Sequence, residues 1–149
     1  MKKYEFTGET KIIAGVTLKR IRALVSFGDV VKGEIGGFIE DEKNLSHDGN
    51  AWVTDNACVT DNARVAGNAW VTDTTDYMLI GSIGSRNDFT TFYKDIDGGI
   101  SVKCGCFSGT IEEFREKVEE THGTNTKHAK VYQAAANLAE VQILEQEAE

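Results

Sequence analysis

Apolar and polar residues in the middle of the chain recur with a period of six. The asparagine column is Asn44, Asn50, Asn56, Asn62 and Asn68, the next column is Leu45, Ala51, Ala57, Ala63 and Ala69, and a third column is Val53, Val59, Val65 and Val71. Residues two apart on a strand point to the same side, so the second and third columns should both face inward. The asparagine should form the corner, because it tolerates positive φ. The period predicts a short parallel β-helix.

These hexads resemble the hexapeptide-repeat left-handed β-helix family, in which three hexads make one coil and the proteins often assemble as trimers. The resemblance implies such a helix here, and the hexad register, continued towards the N-terminus, predicts an irregular first coil from about Gly33. Trp52 and Trp70 occupy the same position of hexads one full coil apart and should therefore stack on one outward face. An exposed apolar pair predicts a contact in a homotrimer or cover by another segment, with a ligand platform as the alternative.

The N-terminal flank consists of short apolar segments interrupted by Gly8 and Gly15, which predicts a β-hairpin. The stretch RIRALVSFGDVVKGEIGGFIEDEKNLSHDGNAWV, taken with the hexads, resembles small proteins of bacteriophages and prophages. The resemblance covers roughly residues 1–76. It implies a fold and a phage context without an assigned reaction.

After Thr75 the period stops, and residues 77–80, 89–93 and 100–104 alternate like three strands of a small antiparallel sheet. A capping box at Thr110–Glu113 predicts a helix over 111–121, and an apolar stripe predicts a second helix over about 126–147. That second stripe suits packing on the sheet or a short coiled coil.

The predicted fold is therefore mainly β with an α/β C-terminal part. Residues 1–32 form a β-hairpin, and residues 33–76 form a short left-handed parallel β-helix of hexapeptide repeats. Residues 77–149 form a small α/β domain, an antiparallel sheet of three strands with two helices.

The composition of the chain argues against several classes of partner. The chain has 149 residues, 40% of them hydrophobic, which is enough for one compact unit or two small ones. Its net charge of −8 opposes binding to a phosphate backbone, so no nucleic-acid partner is expected. No apolar signal region or membrane-length apolar stretch is present, which predicts a cytoplasmic protein without a membrane partner. Three cysteines without a secretion signal predict free thiols.

The loop GSIGSRND, residues 81–88, follows a predicted strand and is rich in glycine and serine. Backbone amides in such a turn bind anions, and Arg86 suits a phosphate or carboxylate. A plain hairpin loop is the alternative. The predicted ligand-binding residues are Ser85, Arg86, Asn87, His122 and Lys127.

Two further groups of residues suggest chemistry. The ligand types of a zinc site are present in Cys104, Cys106, His122 and His128. However, the C-x-C spacing differs from the usual C-x2-C of a zinc knuckle. We therefore favour half-buried thiols and predict no metal. Acyl transfer is the enzymatic interpretation of the hexapeptide repeat, with His122 as the candidate base. His47 lies in the valine column and should be a core or cap residue.

The sequence favours a non-catalytic, oligomeric binding protein of phage origin. Phage context, small size and acidity suggest counter-defence, by sequestering a small anionic, nucleotide-like ligand or by blocking a host protein. A hexapeptide-type acyltransferase and a virion structural trimer are the alternatives. No cofactor is predicted.

Overall fold

The computed structural model describes residues 2–61, 63–84, 88–105 and 107–145. The chain divides into two compact units, Met1–Thr74 and Thr75–Glu149. Among the described residues, no helix is long and apolar enough to cross a membrane.

Unit 1 begins with a long antiparallel hairpin. The hairpin consists of the first two of the six strands described in unit 1. The six strands are β1 (Tyr4–Ile13), β2 (Val16–Ala23), β3 (Ile35–Ile39), β4 (Trp52–Val53), β5 (Cys58–Val59) and β6 (Trp70–Val71). Short 3₁₀ helices cover Glu42–Asn44 and, at the boundary with unit 2, Thr74–Asp76. β1, β2, β3 and β5 form one sheet in that order, and β4 pairs with β6 in a second sheet.

The predicted fold class is wrong. The chain is mainly β with two helices, but the described strands form three separate sheets and no continuous left-handed β-helix. The strands of the repeat are very short, and their parallel pairs differ in offset. Trp52 pairs with Trp70, three hexads further along, whereas Phe38 pairs with Cys58, two positions beyond the three-hexad offset. Because β3 also pairs antiparallel with β2, the start of the repeat joins the hairpin sheet.

The two apolar columns of the repeat form the core of unit 1. The eight alanines and valines of these columns that follow Asn50 are each at most 1% exposed: Ala51, Val53, Ala57, Val59, Ala63, Val65, Ala69 and Val71. Burial on this scale removes apolar area from water, which is the main stabilising term for so short a set of strands.

The corners of the repeat lie one residue earlier than predicted. Positive φ falls on Gly49, Asp55, Asp61 and Gly67, every sixth residue, and on none of the described asparagines of the next column. Asn44 has a different role: it is fully buried, and its amide donates to the carbonyl of Ala63 at 2.9 Å. Each of these corners therefore has an aspartate or a glycine at the position of positive φ, and both residue types tolerate this conformation.

Unit 2 is a four-stranded antiparallel sheet with two helices. Its elements are β7 (Tyr77–Ile83), β8 (Asp88–Lys94), β9 (Ile100–Cys104), β10 (Phe107–Thr110), α1 (Ile111–His122) and α2 (Lys127–Leu144), with sheet order β10-β9-β8-β7. The predicted sheet lacked β10, a short strand that pairs with β9 directly after the turn at Gly105. Phe92 and Val102 of the sheet pack against Phe114 of α1 and Ala136 of α2 in one core.

Candidate functional site

A cavity of about 400 Å³ opens within unit 2. Its walls come from the start of β8, the turn between β9 and β10, and one side of each helix. It is lined by Asp88, Cys104, Gly105, Phe107, Phe114, Lys117, Val118, Thr121, His122 and Tyr132. This volume is within the range of small-molecule sites, which begins at about 300 Å³.

The inner wall of the cavity is aromatic. Phe114 lies on the buried side of α1, and its ring packs edge-on against Tyr132 of α2 with centroids 5.7 Å apart. Phe107 of β10 also packs against Phe114, with centroids 5.8 Å apart. These rings lie together because Phe114 is one of the apolar residues spaced three and four apart along α1. A flat apolar ligand would find ring faces and edges to stack on here.

His122 is positioned by the turn between the helices. α1 ends at His122, with Gly123 as its C-cap, and the hydroxyl of Thr126 both accepts from Ala129 N–H and donates to the carbonyl of His122. The His122 ring stacks on Tyr132, with centroids 5.8 Å apart and an angle of 26°. The contact fixes the imidazole against the aromatic wall, where its nitrogens can hydrogen-bond to a ligand.

The lining also includes Lys117, Asp88 and Cys104. Lys117 is exposed on α1 and adds a cation, and Asp88 is exposed at the start of β8 and adds a carboxylate. Asp88 Oδ1 accepts from the N–H of Phe89 at 2.7 Å, which orients the carboxylate. The thiol of Cys104 is free and half-buried, and it accepts a hydrogen bond from the hydroxyl of Thr90 at 3.2 Å.

The structure brings only part of the predicted ligand-binding set to this cavity. Ser85, Arg86 and Asn87 lie outside the described residues. His122 lines the cavity, whereas Lys127 is exposed at the first residue of α2 and is not part of the lining.

Described residues of the predicted anion-binding loop do reach this region. Asp88 lines the cavity, and Gly84 lies so close to the Tyr132 hydroxyl that a Cβ on it would be 1.7 Å from that oxygen. Lys117 and Thr121 also line the cavity and were not among the predicted residues. Their signal was present, since they follow Phe114 by three and seven positions and so flank the apolar face of α1.

The described residues include no group of three or more His, Cys, Asp or Glu side chains placed to hold a metal. Of the four residues weighed as zinc ligands, Cys106 lies outside the described part of the chain. The rings of His122 and His128 are neighbours, with centroids 5.4 Å apart and planes at 55°.

His47 is held in unit 1 through both ring nitrogens. Nδ1 accepts from the N–H of Lys3 at 3.0 Å, so Nε2 carries the proton and donates to Glu42, also at 3.0 Å. The ring also stacks on Tyr4 at 4.1 Å. The hydrogen bond from His47 is the main cause that lowers the pKa of Glu42. With both nitrogens engaged, His47 is a structural residue and a poor candidate for a base.

Trp52 and Trp70 are cross-strand partners, but they do not form an exposed pair. Trp52 is fully buried, with Phe27 packed edge-on at 5.4 Å, while Trp70 is half-buried. Phe27, in the segment after β2, covers Trp52, and cover by another segment is one of the alternatives predicted for this pair. A contact between subunits through these residues stays a prediction.

Comparison with known proteins gives one partial similarity. The chain is 33% identical over 63 residues to an uncharacterized acetyltransferase, YdcK, of Escherichia coli (strain K12). The match covers 37% of this chain and 19% of that protein, so the chain spans about a fifth of its relative's length. No protein-family model matches the chain.

Proposed function

We propose that this protein is a non-catalytic binding protein whose C-terminal unit holds a small, nucleotide-like ligand. The observation that carries the proposal is the cavity of unit 2, where an aromatic wall meets Lys117 and His122. A flat ring system would stack against Phe107, Phe114 and Tyr132. An anionic group would accept hydrogen bonds from the two basic side chains.

Asp88 narrows the class of ligand further. A carboxylate accepts hydrogen bonds and repels anions, so a purely anionic ligand would be disfavoured beside it. A ligand with a hydrogen-bond donor at one end and an anion at the other satisfies Asp88 and Lys117 together. A mononucleotide such as adenosine 5′-monophosphate has both, with an exocyclic amine on the ring and a phosphate on the ribose.

The binding role is tested by calorimetry with adenosine 5′-monophosphate. Lys117→Ala should weaken binding about fivefold, the effect of about 1 kcal/mol lost at an exposed charged hydrogen bond. Lys127→Ala is the matched control, because it removes the same charge from an exposed residue outside the cavity. Equal effects of the two substitutions would indicate general charge attraction and contradict the site.

We propose that this site sequesters a signalling nucleotide. Sequestration requires a binding site and no reaction, which agrees with a cavity that offers stacking and charge. The expectation of phage counter-defence rests on the resemblance of residues 1–76 and on the small size and acidity of the chain. If the partner is a host protein instead, calorimetry will detect no binding of the nucleotide to the cavity.

Acyl transfer is the second candidate, favoured by the similarity to an acetyltransferase over 63 residues. Such a reaction needs a base that takes the proton of the attacking group, and a base of this kind is commonly oriented by a carboxylate. His122 faces the cavity, but within the described residues its ring contacts are Tyr132 and His128. Turnover of acetyl-coenzyme A that is lost in His122→Ala would establish this candidate and displace the binding proposal.

A further inference from the structure

Helix α2 has two apolar faces. The first faces the core of unit 2 and consists of Ala129, Tyr132, Ala135, Ala136, Ala139 and Ile143. On the opposite side lie Val131, Ala134, Leu138 and Val141, which we call the outer stripe. Leu138 and Val141 are each 52% exposed, and Ala134 is exposed as well. A surface helix normally presents polar residues on the side away from its core, so this second face suggests a partner.

The described part of unit 2 leaves Ala134, Leu138 and Val141 of the outer stripe exposed. α1 packs along another flank of α2, where Arg115 hydrogen-bonds to Gln133 at 2.7 Å and to Asn137 at 2.9 Å and forms an ion pair with Glu140. At about 100° per residue, these three positions lie about 120° around the helix from the outer stripe. The stripe is therefore a separate face of α2.

The spacing of the outer stripe is self-complementary. Its residues follow one another by three, four and three positions, the a and d spacing of a coiled coil. If a second α2 lies antiparallel with the two-fold axis at the level of Ala136, Val131 meets Val141 of the other copy and Ala134 meets Leu138. Each large side chain then faces a smaller or β-branched one, an arrangement that lets two helices interlock.

The charges at the two ends match the same arrangement. Lys127 and Glu145 continue the stripe by four positions on either side, and both are exposed. The antiparallel register that pairs the apolar residues also places Lys127 of one copy opposite Glu145 of the other, on both sides of the axis. The helix dipoles also oppose one another in this orientation. We infer that the outer stripe of α2 is a self-association surface that joins two copies of this chain antiparallel about a two-fold axis.

The size of the surface predicts a weak, reversible dimer. α2 has 18 residues and is about 27 Å long, and the stripe covers about two heptads. Interfaces below the standard size are associated with transient complexes, so dimer formation should depend on concentration in the micromolar range.

Sedimentation equilibrium of the full chain tests the surface. The wild-type mass should double with rising concentration, and Leu138→Asp should reduce the association constant at least tenfold by placing two carboxylates in the interface. Ile12→Asp is the matched control, since Ile12 is 71% exposed on β1 of unit 1 and the substitution makes the same change there. A wild type whose mass equals that of Leu138→Asp at every concentration would overturn the inference.

A charge exchange tests the antiparallel register. Lys127→Glu or Glu145→Lys alone should weaken association severalfold at low salt, because each places like charges opposite one another. The double variant should restore the wild-type constant within about twofold. Each single change also improves the match to the helix dipole, so a folding defect in α2 does not explain the loss. A double variant as weak as the single ones would overturn this register.

Discussion

Asn44 is the residue whose replacement most sharply tests the account of unit 1. Its side chain is fully buried and links two successive passes of the repeat. The amide donates to the carbonyl of Ala63 at 2.9 Å and to that of Asp61 at 3.2 Å, and Oδ1 accepts from the N–H of Asp41 at 2.9 Å. The last bond is half of the capping box that begins the 3₁₀ helix Glu42–Asn44.

In Asn44→Ala the buried carbonyl of Ala63 loses its amide donor, and the capping box is broken. An unpaired buried polar group costs about 1–3 kcal/mol, and loss of a cap costs about 1 kcal/mol. Together these losses should lower the free energy of unfolding of unit 1 by about 2–4 kcal/mol. For a unit of this size the melting temperature should drop by about 10–25 °C.

The assay is urea unfolding followed by tryptophan fluorescence. The chain has two tryptophans, Trp52 and Trp70, and both lie in unit 1, so the signal reports that unit alone. Asn68→Ala is the control: it makes the same change in the same repeat column at an exposed position, and should alter stability by less than about 0.5 kcal/mol. Equal losses in the two variants would refute the role given to burial and hydrogen bonding of Asn44.

Two further predictions concern a close contact and a titration. Gly84→Ala should destabilise unit 2 by about 2–4 kcal/mol in thermal unfolding followed by circular dichroism, because its Cβ would be 1.7 Å from the Tyr132 hydroxyl and its φ is +80°. Gly98→Ala, with φ of +89° but no atom within 4 Å, should cost only about 1 kcal/mol, and a similar loss in both would contradict the contact. The hydrogen bond with His47 lowers the pKa of Glu42 from 4.5 in the folded protein. Ionised Glu42 therefore stabilises the folded state above pH 4.5. This contribution is lost as the pH falls through the lowered folded pKa. The urea midpoint of the wild type should therefore fall more between pH 5 and pH 3 than that of Glu42→Gln, and parallel curves would contradict the pairing.

Local patterns in the sequence predicted buried positions and helix starts well. The alanine and valine columns of the repeat are buried, and α1 begins at Ile111 behind the capping box of Thr110 and Glu113. These features depend on periodicity and on bonds between residues close in sequence, which a single chain displays directly.

The arrangement of the strands was not predictable in the same way. A strict three-hexad offset would pair Phe38 with Asn56, but Phe38 pairs with Cys58. The 3₁₀ helix Glu42–Asn44 lies between these two strands, and β3 also pairs with β2, a contact between segments that no local pattern indicates. The cover of Trp52 by Phe27 likewise joins residues distant in sequence, and no local pattern indicates it.

The candidate site was predicted only in part for a related reason. His122 was recognisable as a polar residue at a helix end, but Lys117 looks like one of several surface charges until β9 and β10 complete the cavity beside it. Lys127 is close to His122 in sequence, but it lies at the start of the other helix, α2. On a helix, however, the residues that share a face are three, four or seven apart.

The central claim is that the cavity of unit 2 binds a mononucleotide-like ligand. A ¹H–¹⁵N correlation spectrum of the full chain, titrated with adenosine 5′-monophosphate, tests it most directly because it locates the contact residue by residue. The largest shifts should fall on Cys104, Gly105, Phe107 and His122, while the signals of the repeat in unit 1 stay in place. Shifts confined to unit 1, or no shift at millimolar ligand, would contradict it.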